Sequence, residues 1–125
     1  MVMAAAGPKR KVLFVEDEAA LQSSYARYFS SRYEMAFART GAEAMQQLES
    51  FEPEVLILDL RLPDTDGIAL LQRIRQKRAT LPVVVTTAYV SMEPLMHVLD
   101  LGHSAYLVKP FDLNELASRI DALGA

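Results

Sequence analysis

Three acidic side chains in this 125-residue chain stand where two short apolar segments end. Glu16 and Asp17 directly follow the run Lys11–Val15, and Asp59 directly follows the run Val55–Leu58. Apolar runs of this length, bounded by turn residues, are typical of strands buried on both faces of a parallel sheet. Ligands bind such sheets beyond the carboxyl ends of the strands, so we expect the three carboxylates to share one edge.

Carboxylates placed this close repel one another, and one of them would take up a proton unless a cation compensated their charge. Oxygen ligands completed by water favour Mg²⁺. Two further apolar segments end in a hydroxyl, Thr87, and an ammonium, Lys109. Together with Mg²⁺, Lys109 would bring the pocket near neutrality, and with Thr87 it could hold a phosphoryl group. Asp59 is then a candidate nucleophile for phosphoryl transfer.

The elements that must position these residues alternate between strands and helices along the chain. Strands are predicted at Lys11–Val15, Tyr33–Ala38, Val55–Leu58, Pro82–Thr87 and Ala105–Val108. Each is followed by apolar residues at helical spacing, and the connections are short. The pattern predicts an α/β fold: a flavodoxin-like, doubly wound, five-stranded parallel sheet in the order 2-1-3-4-5, with five helices in an α/β/α arrangement of three layers.

Helix starts are marked by two capping-box patterns. Thr40 with Glu43, and Asp112 with Glu115, have the spacing in which an N-cap side chain and an acid three residues later satisfy each other's backbone N–H groups. A further helix is predicted to begin in the region of Ser91.

Composition places the chain among single globular domains, because 51% of its residues are hydrophobic and 23% are charged. The absence of cysteine excludes disulfides, thiolate zinc sites and thiol nucleophiles.

The net charge of -3 argues against direct nucleic-acid binding by this domain. No apolar run reaches the length of a membrane span, so we expect no membrane association and a cytoplasmic protein.

Four motifs make the chain resemble the receiver domain of bacterial two-component response regulators over about residues 11–123. They are, in order, Val15–Glu18, Leu58–Gly67, Thr87–Ala88 and Tyr106–Phe111. The apolar start of the chain, followed by basic residues, is interpreted as a flexible leader at residues 1–9. The resemblance implies a receiver domain over residues 10–125. It also implies a signalling switch rather than an ordinary enzyme: a protein that catalyses only its own phosphorylation from phosphodonors and its own dephosphorylation.

The resemblance further implies roles for individual residues. Asp59 would be phosphorylated by a histidine kinase or a phosphotransfer protein. Asp17, Asp59 and the backbone carbonyl of Arg61 would bind Mg²⁺ directly. Glu16, where many members have Asp, would bind the metal through water. Lys109 would hold the phosphoryl group, and its peptide bond to the following proline is cis in the family.

The same resemblance implies two switch residues, since Thr87 would move toward the phosphoryl oxygens and Tyr106 would turn inward behind it. This would change the surface formed by the fourth helix, fifth strand and fifth helix, which is also a candidate homodimer interface. A C-terminal output domain outside this chain is a further candidate partner. Arg61 and Tyr89, two positions beyond Asp59 and Thr87, could screen attacking water, which predicts a long-lived phosphorylated state.

Three other functions fit parts of the sequence. Asp64, Asp66 and Gly67 imitate the Asp-x-Asp-Gly signature of haloacid-dehalogenase-type phosphatases, but Pro63 and a loop separate them from the strand, and the chain lacks room for such an enzyme's cap. A non-phosphorylated, receiver-like interaction module is disfavoured by the complete set of acids, threonine and lysine. A flavin-binding flavodoxin would need hydroxyl groups where acids follow the first strand. Asp64 and Asp66 are therefore interpreted as loop and cap residues.

Overall fold

Five parallel strands form one sheet in the computed structural model, which describes residues 9–88, 102 and 105–123. The strands are β1 (Arg10–Val15), β2 (Tyr33–Ala38), β3 (Val55–Asp59), β4 (Val83–Thr87) and β5 (Ala105–Val108). Their spatial order is β2-β1-β3-β4-β5, so the predicted order 2-1-3-4-5 is confirmed.

Four helices lie within the described residues. They are α1 (Ala19–Phe29), α2 (Gly41–Phe51), α3 (Gly67–Lys77) and a C-terminal helix (Leu113–Ala122). The helix predicted from the Ser91 region lies outside the described residues, as do Tyr89 and residues 1–8 of the predicted leader. In the part of the chain that is described, no helix combines the length and the apolar character needed to cross a membrane.

Helices cover both faces of the sheet, which explains why the strands are apolar without alternation. On one face, α1 and the C-terminal helix pack through Tyr25, Phe29, Leu116 and Ile120, all fully buried. On the other face, α2 and α3 bury a second set of side chains: Ala44, Leu48, Ile68, Leu70, Leu71 and Ile74. Burial of each large apolar side chain contributes about 1.5–3 kcal/mol, so the two cores hold the strands in fixed register.

The register brings the strand ends to one edge. Val15 pairs with Leu58, so Glu16, the residue after β1, lies level with Asp59 at the end of β3. Lys109 directly follows β5, whose last residue pairs with the last residue of β4. The predicted site residues are thus delivered to the same edge by separate strands.

The two predicted capping boxes differ in outcome. The Thr40 hydroxyl accepts a hydrogen bond from the Glu43 N–H at 3.1 Å, and the Glu43 carboxylate accepts one from the Arg39 N–H at 2.8 Å. Asp112 occupies the N-cap position of the C-terminal helix, but its side chain makes no cap hydrogen bond. Its backbone carbonyl accepts the Glu115 N–H instead, at 3.0 Å. The side-chain prediction for Asp112 was therefore wrong.

Candidate functional site

Glu16, Asp17 and Asp59 form an acidic cluster at the carboxyl edge of the sheet. Each offers a carboxylate oxygen, and the three oxygens all lie within 4.8 Å of one another. Glu16 and Asp59 are only 1% and 4% exposed, whereas Asp17 is exposed to solvent. The cluster opens into a cleft of about 470 Å³ whose other lining residues are Glu18, Arg61, Leu62, Pro63, Ala88 and Lys109.

The ammonium group of Lys109 bridges the two buried carboxylates. Its Nζ donates to Glu16 Oε1 and to Asp59 Oδ2, both at 2.9 Å. The backbone N–H of Lys109 donates to the Thr87 carbonyl at 2.7 Å, which anchors the residue to the end of β4. Its peptide bond to Pro110 is cis, as the resemblance implied. The ammonium of the residue that follows β5 thus contacts the acid that follows β1 and the acid that ends β3.

Burial controls the protonation of these groups. It raises the pKa of Glu16 to about 7; the hydrogen bond from Lys109 opposes this rise, and the nearby charge of Asp59 adds to it. Burial alone would lower the pKa of Lys109, but its hydrogen bonds to Asp59 and Glu16, with the charges of both, outweigh burial and raise that pKa. Without a metal, Glu16 is therefore only partly charged near neutral pH, and a cation bound among the three carboxylates would favour its charged form.

Backbone groups orient the buried carboxylates. Asp59 Oδ1 accepts a hydrogen bond from the Arg61 N–H at 2.9 Å, and Glu16 Oε2 accepts one from the Glu18 N–H at 3.1 Å. The cluster offers only hard carboxylate oxygens and faces an open cleft with room for water. Such a donor set fits a hard divalent cation such as Mg²⁺.

Thr87 and Tyr106 lie on the same face of the sheet, and neither is among the described residues that line the cleft. Thr87 is fully buried at the end of β4, and Ala88 is the residue after β4 that lines the cleft. Tyr106 is half-buried and pairs with Val85, which precedes Thr87 by two residues on β4. Side chains two residues apart on a strand point to the same face, so the two predicted switch residues are neighbours on one face, with Tyr106 further from the carboxyl edge.

Asp64 and Asp66, the acids of the phosphatase-like signature, have local structural partners. Asp66 is the N-cap of α3, where its Oδ1 accepts the Ile68 N–H at 2.9 Å. Asp64 accepts hydrogen bonds from the N–H groups of Gly41 at 2.7 Å and Ala42 at 3.1 Å. Neither acid is among the described residues that line the acidic cleft. Both contacts agree with the interpretation of these acids as loop and cap residues.

Two buried hydroxyls near the cluster were missed by sequence reasoning. Tyr25 and Thr86 are 0% and 1% exposed, and neither hydroxyl has a hydrogen-bond partner among the described residues. Thr86 pairs with Asp59, and the Tyr25 ring stacks on Phe14 with a centroid distance of 4.7 Å. The sequence signal that could have indicated these two hydroxyls is a polar group within an otherwise apolar pattern, that of β4 for Thr86 and that of α1 for Tyr25.

Comparison with known proteins agrees with this architecture. The family model described as the response regulator receiver domain matches residues 12–121. The transcriptional regulatory protein BasR of Escherichia coli (strain K12) is 43% identical over 114 residues, which cover 90% of this chain and 51% of that protein. The transcriptional regulatory protein CiaR of Streptococcus pneumoniae is 36% identical over 113 residues, covering 90% and 50%. The chain thus spans about half the length of these curated relatives.

Solved structures show the same arrangement. A CheY-like response regulator receiver domain protein from Methanospirillum hungatei superposes with a TM-score of 0.83 at 27% identity, covering 90% of this chain and 91% of that one. The non-phosphorylated HemR receiver domain from Leptospira biflexa superposes with a TM-score of 0.80 at 31% identity, covering 90% and 92%.

Proposed function

The chain belongs to the response regulator receiver domain family, and on that premise we propose that Asp59 is its phosphoryl acceptor. Members of this family are signalling switches. The proposal depends on one observation: the ammonium of Lys109 contacts both Asp59 and Glu16. Asp17 lines the same cleft. Asp59 is the member of this cluster at the end of the central strand, with each carboxylate oxygen already oriented by a donor.

This geometry supports the following transfer of a phosphoryl group to Asp59. A carboxylate oxygen of Asp59 attacks the phosphorus of a phosphohistidine, or of a small donor such as acetyl phosphate. The bond from phosphorus to the leaving nitrogen or oxygen breaks, and the leaving group keeps the electron pair of that bond. Lys109 is placed to pair with the phosphoryl oxygens, because its ammonium already lies at hydrogen-bond distance from Asp59.

A metal ion belongs to this proposal. Asp17, Asp59 and the backbone carbonyl of Arg61 would hold Mg²⁺, with Glu16 acting through a water molecule. When bound, Mg²⁺ would supply neutralisation of negative charge at the phosphoryl group. The proposal is supported by the surplus of carboxylates over ammonium groups in the cleft.

Phosphorylation of Asp59 would be communicated to the output surface by movements of Thr87 and Tyr106. Movement of the Thr87 hydroxyl toward the phosphoryl oxygens would open space on the face that it shares with Tyr106, and Tyr106 would turn inward. The output surface would then include β5 and the C-terminal helix. Support comes from the register, which places the two residues in neighbouring rows of one face.

Partners follow from the same family. The phosphodonor would be a histidine kinase or a phosphotransfer protein. Because two relatives are named transcriptional regulatory proteins and are about twice as long as this chain, a C-terminal output domain that controls transcription is a further proposed partner. A homodimer through the output surface, and a cytoplasmic location, stay predictions.

Intact-mass measurement after incubation with Mg²⁺ and acetyl phosphate tests the proposed acceptor. Wild-type protein should gain the mass of one phosphoryl group, whereas Asp59→Asn should gain none. Asp112→Asn is a matched control, because that side chain lies away from the cleft and makes no cap hydrogen bond. Wild-type protein that neither gains mass nor binds Mg²⁺ would instead be a receiver-like interaction module. Turnover of phosphate esters that depends on Asp64 would indicate a phosphatase.

A further inference from the structure

The loop that follows Asp59 is closed at its base. The Gly67 N–H donates to the Leu60 carbonyl at 3.0 Å, and Arg61 faces Asp66 in an isolated antiparallel bridge. A Cβ atom at Gly67 would lie 2.4 Å from the Leu60 Cα, so the two chain segments touch through backbone atoms. This close approach requires glycine.

The tip of the same loop is attached to α2. Asp64 Oδ1 accepts the Gly41 N–H at 2.7 Å, and Asp64 Oδ2 accepts the Ala42 N–H at 3.1 Å. These are N–H groups of the first helical turn, which have no partner inside the helix and lie at the positive end of its dipole. The bond from Gly41, together with that from Ala42, lowers the pKa of Asp64, because both N–H groups favour the charged carboxylate.

Packing at the tip is also tight. A Cβ atom at Gly41 would lie 2.5 Å from Thr65 Cγ2, so the loop rests directly against the start of α2. Neighbouring residues in the sequence, Asp64 and Thr65, therefore provide a polar and an apolar contact to the same helical turn.

The segment between these two attachments, Arg61–Pro63, lines the acidic cleft. The Arg61 N–H donates to Asp59 Oδ1, and the Arg61 carbonyl is the proposed metal ligand. We infer that Asp64 is a positioning residue for metal binding: by fixing the loop to α2, it holds the Arg61 carbonyl in place beside Asp17 and Asp59. The inference rests on the proposed function, because it assigns Asp64 to the metal site of that function.

Asp64 also caps α2, and the test must separate this role from the positioning role. Thr40 offers the comparison, since its hydroxyl accepts the Glu43 N–H of the same helical turn at 3.1 Å and this bond does not involve the loop. Loss of either cap weakens the helix start to a similar extent. Of the two substitutions, only loss of the Asp64 carboxylate also removes hydrogen bonds that attach the loop tip to α2.

The experiment measures Mg²⁺ binding to the unphosphorylated protein by isothermal titration calorimetry, with no phosphodonor present. In Asp64→Ala, the Mg²⁺ dissociation constant should rise about tenfold, as expected when a group that orients a metal ligand is lost. Asp64→Asn, which keeps one acceptor oxygen, should show a smaller rise. Thr40→Ala should bind Mg²⁺ like the wild type. Hydrogen exchange without metal should become faster in the loop for Asp64→Ala but not for Thr40→Ala.

Each result supports or overturns the inference. Wild-type affinity in Asp64→Ala, or an equal loss of affinity in Thr40→Ala, overturns it. If Asp64→Ala does not fold by circular dichroism, Asp64→Asn decides the question by the same criteria. A wild-type protein that fails to bind Mg²⁺ overturns the proposed function and this inference together. A wild-type protein that binds Mg²⁺ and is phosphorylated, beside an unaffected Asp64→Ala, overturns the positioning role alone.

Discussion

The ammonium nitrogen of Lys109 lies 2.9 Å from Oδ2 of Asp59, the proposed phosphoryl acceptor. The two residues are 50 positions apart in the chain and meet because β3, β4 and β5 are neighbours with their carboxyl ends at one edge. The same ammonium contacts Glu16. Lys109 therefore compensates two buried acids in the resting protein and is positioned to hold an incoming phosphoryl group.

Removal of this ammonium should slow phosphorylation severely. In Lys109→Met, the rate of phosphoryl gain from acetyl phosphate at saturating Mg²⁺ should fall about 100-fold, because a charged donor to the transferring group is lost. Time courses of intact mass measure the rate. Lys77→Met is the control, since among the described residues its ammonium pairs with the exposed Glu49, at 3.6 Å. A wild-type rate in Lys109→Met would show that the ammonium takes no part.

The raised pKa of Glu16 predicts that stability depends on pH when no metal is bound. The pKa is about 7 in the folded protein, against an ordinary value of 4.5. The folded state thus holds the proton more tightly, so stability contributed by protonated Glu16 is present below pH 4.5 and is lost as pH rises to about 7. The full shift corresponds to about 3 kcal/mol.

Urea unfolding in EDTA checks this dependence at about pH 5, where most of the contribution is still present, and at about pH 8, where it has been lost. Glu16→Gln, whose amide does not titrate, should lose the corresponding part of the pH dependence and be more stable than the wild type at the higher pH. Mg²⁺ should recover stability in the wild type at that pH. Equal pH dependence in the two proteins would contradict the prediction.

Two glycines near the loop should respond differently to alanine. Gly67→Ala should destabilise the protein by about 3 kcal/mol, because its new methyl group would meet backbone atoms of Leu60 that cannot move aside. Gly41→Ala should cost less, since its new methyl group would meet side-chain atoms, Thr65 Cγ2 at 2.5 Å and the Asp64 carboxylate oxygens at 3.4 and 3.5 Å, rather than backbone. Free energies of unfolding in urea measure both, and the reverse order would refute this account of the loop.

Removal of the buried Tyr25 hydroxyl should not destabilise the protein. Tyr25→Phe should leave stability unchanged or raise it by about 1 kcal/mol, because the hydroxyl finds no hydrogen-bond partner in the part of the chain that the structure describes, and burial without one carries a desolvation cost. Tyr28→Phe on the same helix is the comparison, since that hydroxyl donates to Asn114 and the variant should lose a little stability. A larger loss in Tyr25→Phe than in Tyr28→Phe would reveal a partner for the buried hydroxyl.

The lifetime of the phosphorylated state should depend on Arg61 and Tyr89. Arg61 lines the cleft with an exposed side chain, and Tyr89 follows Ala88, which also lines it. Replacing Arg61 and Tyr89 together by alanine should shorten the lifetime, because water reaches the acyl phosphate more easily. Loss of the phosphoryl mass after removal of the donor measures it, and an unchanged lifetime would count against screening by these side chains.

The sheet, and the residues that meet at its carboxyl edge, could be predicted from the sequence for one physical reason. Strands buried on both faces must be apolar throughout, so a carboxylate such as Asp59 at the end of such a run marks the strand's carboxyl edge. The same reasoning placed Glu16 after β1 and Lys109 after β5. The Asp112 cap failed because a side-chain cap depends on local backbone geometry, which the residue types do not determine.

The sequence by itself determined the strands, their order through short right-handed crossovers, and the identity of the acids, hydroxyl and ammonium at one edge. Only the tertiary structure decided how these groups touch. The bond from Asp64 to Gly41 joins residues 23 positions apart, and the raised pKa of Glu16 comes first from burial by surrounding elements. The periodic pattern of apolar residues in a sequence shows which face of a helix or strand is buried. It does not show which loop contacts which helix, because that depends on the packing of the whole chain.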